Sequence, residues 1–323
     1  MLLMKPKRAI FTLLLLLIMG GCMQPKPPTI PEWMSSNPTD SDTLLYKSAI
    51  GKTELEAKEN ALALLGSSLF STLKQYVTRV ESAEYIDAIL YNASLQCRSL
   101  NYPQSTVVKH QEQEEQHIVL VSVDRKALAL DQKQKLDINL ERVESLLVDI
   151  ESRASMVKLH RLHTASKALS ALYAQMYLLQ VIDPKTKISD YKKRFKKIRR
   201  EYNRLKFSLL VRVIGDAESI YFIKPLQDAL ISEGLTLSSN SSKTKPITIL
   251  LSTDSKQSRA ANIKIESMWL QISIQESNKE ISLNELEFSG RSPDSFSKAS
   301  QDAADKFKKE LKKHGLFVVL GLE

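Results

Sequence analysis

Cysteine is almost missing from this 323-residue chain, which has only Cys22 and Cys97. No disulfide framework can hold it, so an exported form must rest on its hydrophobic core. Glycine and proline are both absent between Asp124 and Asp183, which leaves that stretch free to run as helix. There is no Gly-rich phosphate loop, no Gly-x-Ser-x-Gly and no His-Glu-x-x-His, so the enzyme classes that carry those motifs are excluded. Beyond the first two dozen residues, no apolar run approaches the roughly 20 residues of a membrane span. Acidic residues are the minority charge, 37 against 46 Lys and Arg, for a net charge of +9. With 43% hydrophobic and 26% charged residues, the composition excludes a disordered chain.

What is present begins with Lys5, Lys7 and Arg8, then an apolar run from Leu13, then Met19-Gly20-Gly21-Cys22. A basic start, an apolar segment and small residues are the parts of a secretory signal. Thirteen residues separate Arg8 from Cys22, too few to span a bilayer comfortably. A cysteine directly after Gly-Gly resembles the lipobox of bacterial lipoproteins. The resemblance implies cleavage before Cys22, a diacylated (palmitate-type) thiol and an acylated new amino terminus, hence anchoring in the lipid bilayer. Met23 after the cysteine, by the proteobacterial sorting pattern, implies the outer membrane, facing the periplasm. Pro25, Pro27, Pro28 and Pro31 then make an extended, fairly stiff tether.

Leu44 to Gly51 reads as a strand, and Thr53 with Glu56 as a capping box. Leu55, Leu62, Leu65, Leu69, Leu73, Tyr76 and Val80 mark one face of a long helix. A second helix covers Ala83 to Ser99 with Cys97 as a small core residue, and strands cover Ser105 to Gln111 and His117 to Val123. The second of these strands is β-branched enough to be central. Pro31-Glu32-Trp33, Tyr46-Lys47-Ser48-Ala49-Ile50-Gly51, Glu56-Ala57 and Asn60-Ala61 together resemble the LPP-twenty lipoprotein family over about residues 31–130. Many members carry Gly-x-Gly after the strand, where this chain has Gly51-Lys52-Thr53. The resemblance implies an exported lipoprotein, a helix laid on a small antiparallel sheet, and no catalytic residues.

Heptad-like steps follow: Leu136, Leu140, Val143, Leu147, Ile150, Ala154 and Val157, then Leu162, Ala165, Leu169, Leu172, Met176 and Leu179, then Ile188, Tyr191, Phe195, Ile198, Tyr202 and Leu205. The pattern suits an antiparallel coiled-coil insert, or a short bundle if the chain breaks near Ser152 to Ser155. Leu162, Leu169, Leu172, Met176 and Leu179 are the candidate self-association seam. In the third run Lys193, Arg194, Lys196, Lys197, Arg199, Arg200 and Arg204 form a candidate anion-binding surface.

The remainder reads as strand (Phe207 to Ile214), helix (Ser219 to Glu233), three strands (247–252, 261–273, 280–290), helix (Ser295 to His314) and a last apolar strand at Phe317 to Leu320. Ile263 and Ile265 followed by Trp269, Ile272 and Ile274 imply a phase switch, hence a bulge. His160 and His163 share a helical face, but no Cys or acidic residue completes a metal set. No metal and no cofactor are expected. The fold class is α+β, divided as signal 1–21, tether 22–31, an LPP-twenty-like domain 32–126, a helical insert 127–206 and a small α+β domain 207–323. The function expected is that of a non-enzymatic envelope lipoprotein with a scaffolding, self-associating role. The alternative is a periplasmic module bridging the outer membrane to peptidoglycan or an envelope complex. Partners are the bilayer, a second copy or an envelope protein, and peptidoglycan, but not nucleic acid.

Overall fold

The computed structural model describes residues 30–238 and 246–322. Met19, Gly20, Gly21, Cys22 and the start of the tether lie outside the described residues. The fold is α+β with two open sheets. The chain divides into two compact units: one runs to Ser71 and adds Cys97–Ala129, the other holds Thr72–Gln96 and everything from Leu130.

The first unit opens with a short helix α1 (Glu32–Ser35), strand β1 (Leu44–Gly51) and the start of helix α2 (Glu54–Val80). After the end of α3 (Ala83–Arg98) come β2 (Ser105–Gln113) and β3 (Gln116–Asp124), which form a tight hairpin through Glu114-Glu115. The sheet order is β1-β3-β2, antiparallel throughout, so β3 is central. Its residues Ile118 to Val123 are all buried. The capping box forms with a variation. Thr53 Oγ1 accepts from the Glu56 N–H at 3.1 Å, while Glu56 reaches back to the N–H of Lys52 at 2.8 Å. Gly51 is required by packing, because a Cβ there would stand 2.3 Å from the Ala57 nitrogen. The core stripe of α2 is Ala57, Ala61, Leu65, Leu69, Leu73 and Val77. Leu55 and Val80, expected inward, are exposed, while Ala57 and Ala61 are fully buried, so the inward face of the helix is rotated from the leucine-marked one.

The second unit contains helices α4 (Arg125–Ser145, from Leu130 on), α5 (Ser155–Ile182) and α6 (Ser189–Ser208), with the adjoining parts of α2 and α3. The chain does break between α4 and α5, through a 3-10 turn at Ile150–Ser152, and folds into a bundle. Helix α5 buries fourteen of its 28 residues. A helix apolar on most sides is an interior helix, not half of a two-stranded seam. Its neighbours touch it on several sides: Asn139 of α4 donates to Gln175 at 3.1 Å, Gln96 of α3 to the Ala171 carbonyl at 3.0 Å, and Tyr173 meets Phe195 of α6 edge to face at 4.9 Å.

The same unit carries a five-stranded sheet of order β5-β4-β6-β7-β8. Its strands are β4 (Leu210–Gly215), β5 (Thr236–Leu237), β6 (Ile247–Ala260), β7 (Ile263–Glu276) and β8 (Lys279–Ser292). β4 is parallel to β5 and β6, while β6, β7 and β8 form an antiparallel meander. Helices α7 (Ile220–Ser232) and α8 (Phe296–His314) cover one face through Phe222, Phe288 and Phe307, whose rings lie 5.5–5.9 Å apart. Met156 and Leu159 of α5 belong to this same core. Residues 127–206 are therefore not separated from 207–323, because the first turns of α5 complete the apolar layer of the sheet unit.

Three local expectations are corrected. Phe317 to Leu320 is not a strand but lies in and just after a short helix α9 (Leu316–Val319), with Phe317, Val319 and Leu320 turned into the core. Helix α6 runs through Phe207, so β4 begins only at Leu210. The phase switch in β7 does not occur. Glu266, Met268, Leu270, Ile272 and Ile274 alternate inward without interruption, and Trp269 faces out. Glu266 takes an inward position because the hydroxyl of Ser300 on α8 hydrogen-bonds to its carboxylate.

Candidate binding surface

The cations of α6 are sorted by what lies beside them. The helix docks by Tyr191, Phe195 and Ile198, all buried. Tyr191 donates its hydroxyl to Asp137 at 2.5 Å, and Lys133 donates to the other oxygen at 2.7 Å. Burial alone would raise the Asp137 carboxyl, but these two bonds outweigh it and hold it below the usual carboxylate range. Burial, aided by the bond to Asp137, pushes the Tyr191 phenol up.

Two of the seven proposed anion-binding cations are engaged internally. Arg194 holds Glu144 in a fork, with Nε 2.7 Å from Oε1 and the second nitrogen on Oε2. This bond, ahead of other effects, raises the Arg194 pKa. Arg199 lies over the Tyr85 ring at 4.2 Å and near Tyr173 at 5.6 Å. Their charges are spent on α4, α3 and α5: Arg194, though exposed, is neutralised by Glu144, and Arg199 lies on two tyrosine rings.

The other five share one exposed stripe. Lys193, Lys196, Lys197, Arg200 and Arg204 recur at steps of three and four, and all are exposed. Lys193 stands 3.4 Å from Asp190, with both side chains about four-fifths exposed, a pair of small worth. Arg204 faces Glu151, whose carboxyl is lowered first by its hydrogen bond from Lys158 and further by Arg204. Among the described residues Lys196, Lys197 and Arg200 form no ion pair. They are the centre of the stripe, and Phe207, 70% exposed, extends it.

The proposed seam is a different matter. Leu162, Leu169, Leu172, Met176 and Leu179 are each no more than 4% exposed. They are packed within the chain and offer nothing to a second copy. The heptad pattern is correct, but the partner helices come from the same polypeptide.

The histidine pair is also structural. His163 is buried, its Nδ1 lies 3.1 Å from the Tyr202 hydroxyl, and both His160 and His163 rings stand 5.0 Å from Phe317. Burial first, then Lys167, lowers the His163 pKa. Among the described residues no three His, Cys, Asp or Glu side chains gather as a metal site. Cys97 is buried, and burial pushes its thiol up to about 12, the behaviour of an inert core thiol.

One surface lay outside the sequence reading. The face of the sheet opposite α7 and α8 is open. Across β6, β7 and β8 it carries cross-strand rows: Asp254–Trp269–Glu287, then Ser252–Gln271–Glu285, then Leu250–Ser273–Leu283, with Ile214 of β4 beside Leu250. Trp269 and Ile214 are each 44% exposed and Leu283 is 49% exposed. A shallow groove of about 330 Å³ lies along Trp269 between Asp254 and Glu287. The signal in the sequence was strict alternation around Trp269, obscured by reading the tryptophan as an inward residue.

No protein-family model and no curated protein matches the chain. Among solved structures it is similar to a secreted protein from the human pathogen Helicobacter pylori, at 15% identity and a TM-score of 0.47, covering 84% of this chain and 98% of that one. It is also similar to a minor lipoprotein from Acinetobacter baumannii, at 9% identity and a TM-score of 0.24, covering 32% and 91%. Among the described residues no helix is long and apolar enough to cross a membrane.

Proposed function

We propose that the protein is a non-enzymatic envelope lipoprotein, anchored in the outer membrane through lipid on Cys22 and facing the periplasm, that works as a binding module. The observation that carries this reading is the stripe centred on Lys196, Lys197 and Arg200, which keeps its charge exposed while neighbouring cations are engaged. A row of this kind favours carboxylate- or phosphate-bearing partners. In the envelope these include peptidoglycan, anionic headgroups and acidic proteins. The first unit, a helix on a three-stranded antiparallel sheet, is the architecture that the LPP-twenty resemblance implies, and that resemblance supports the lipoprotein reading. Self-association through the α5 seam is not part of the proposal, since the seam is buried.

The test is retention of the full lipidated chain, in an uncharged detergent, on isolated peptidoglycan and on vesicles containing anionic lipid. Wild type should be retained at low salt and released as salt screens the stripe. K196E/K197E/R200E should lose retention with an unchanged melting temperature. Equal retention of the two proteins would overturn the reading for those partners.

A further inference from the structure

The basic stripe of α6 has its counterpart on the same molecule. Around Trp269 the open sheet face presents Asp254, Glu285 and Glu287, with Lys256 and Arg291 in the two rows beyond them, in a chain whose net charge is +9. A concentration of acid on one face of a basic protein is a charge asymmetry that steers a basic partner. The face is also partly apolar, since Ile214, Leu250 and Leu283 make the adjoining row.

We propose that this face docks the α6 stripe of a second copy of the chain. The proposal rests on the reading of that stripe as a binding surface and names its acidic partner. Three physical points select this occupant. The charges are complementary: Lys196, Lys197 and Arg200 against Asp254, Glu285 and Glu287. The sizes agree: Lys193 to Arg204 extends about 16 Å at 1.5 Å per helical residue, and the rows from Leu250 to Asp254 extend about 13 Å at roughly 3.3 Å per strand residue. The stripe also repels itself, because two basic stripes cannot meet without like charges directly opposed. That excludes a two-fold symmetric pair through the stripe, whereas stripe to face, a heterologous arrangement, sets the cations against the acids around Trp269.

In the docked pair Arg200 or Lys197 lies over Trp269 and between the carboxylates of Asp254 and Glu287, which combines a cation–π contact with charge-assisted hydrogen bonds. Exposed Phe207, at the end of the stripe, supplies the apolar contact for the row containing Leu283. Each copy keeps one free stripe and one free face, so the contact propagates into a row or closes into a ring.

The experiment uses the full lipidated chain in an uncharged detergent, with size followed by sedimentation over a range of concentrations. Wild type is expected to grow with concentration and to shrink as salt is raised. The face variant E285Q/E287Q and the stripe variant K197Q/R200Q, which remove charge without reversing it, are each expected to be monomeric, with unchanged melting. Mixed in equal amounts they should give a dimer and nothing larger, because between them they hold one intact stripe and one intact face. A wild type that stays monomeric at every concentration overturns the proposal. So does association that survives either variant, and so does a mixture of folded variants that fails to pair. Peptidoglycan and vesicle retention, run on the same proteins, separates the two readings. If the stripe variant loses retention while the face variant keeps it and wild type is monomeric, the stripe is a binding surface for another partner and the self-docking fails alone.

Discussion

Helices α5 and α6 are neighbours in one unit, and both carry heptad-like spacing, yet they do opposite things. α5 buries its row of Leu162, Leu169, Leu172, Met176 and Leu179 almost completely, whereas α6 buries only Tyr191, Phe195 and Ile198 and leaves a cationic stripe outside. The difference lies in how many neighbours each helix has. Contacts from α3, α4 and α6 surround α5, so any apolar residue it presents finds a partner inside the chain. α6 lies at the margin, and its long basic side chains keep their heads in water. Periodicity alone reports that a face is apolar, not whose surface covers it.

The largest expected effect is at the seam. L172N or L169N should destabilise the fold by roughly 3–5 kcal/mol, because each opens a cavity and buries an amide without a partner. Urea unfolding reads this. A variant that kept wild-type stability and changed only its oligomeric state would restore the seam as an interface and break the comparison.

Next in size is the pH response of the α5 margin. His163 faces Tyr202, Phe317, Glu233, Lys167, Lys206 and His160. Its folded pKa is lowered, so the fold prefers the neutral ring. The contribution is therefore complete above the ordinary histidine value of about 6.5 and is lost as pH falls through the lower folded value. The melting temperature should drop over that interval in wild type and drop less in H163Q. Asp137 and Asp216, whose pKa values are lowered by hydrogen bonds that outweigh their desolvation, contribute in a separate window below about pH 4. No difference between H163Q and wild type around pH 6 would remove His163 from the account.

The smallest effects separate adjacent cations on α6. R199A should cost about 1 kcal/mol, through loss of its contacts with Tyr85 and Tyr173, and should leave anion retention nearly intact. R200A should leave stability unchanged and weaken retention. The opposite pattern would mean that the two sides of α6 have been assigned in reverse.

Much of the local structure was legible in the sequence. β1, the hairpin at Glu114-Glu115, the end of α7 before Gly234 and the start of α8 at Ser295 are set by turn and cap chemistry within a few residues. Ser295, for example, accepts the Lys298 N–H at 3.1 Å. The rotation of α2 was not legible, because the buried alanines at 57 and 61 carry no strong hydropathy signal. The orientation of Trp269 was not legible either. Glu266, two positions before Met268, broke the apparent alternation, and only its partner Ser300, 34 residues away, accounts for an acid on the inner face.

The sequence by itself determined the α+β class, the helix-rich middle and the concentration of positive charge on α6. These depend on short-range order along the chain: spacing, caps, turn residues and composition. Tertiary structure alone decided that the α5 seam is interior, that Arg194 and Arg199 are engaged while Lys196, Lys197 and Arg200 stay exposed, and that acids from β6 and β8 meet around Trp269. Each of those depends on which distant segment lies alongside, and distance through space is not encoded in the spacing of any one segment.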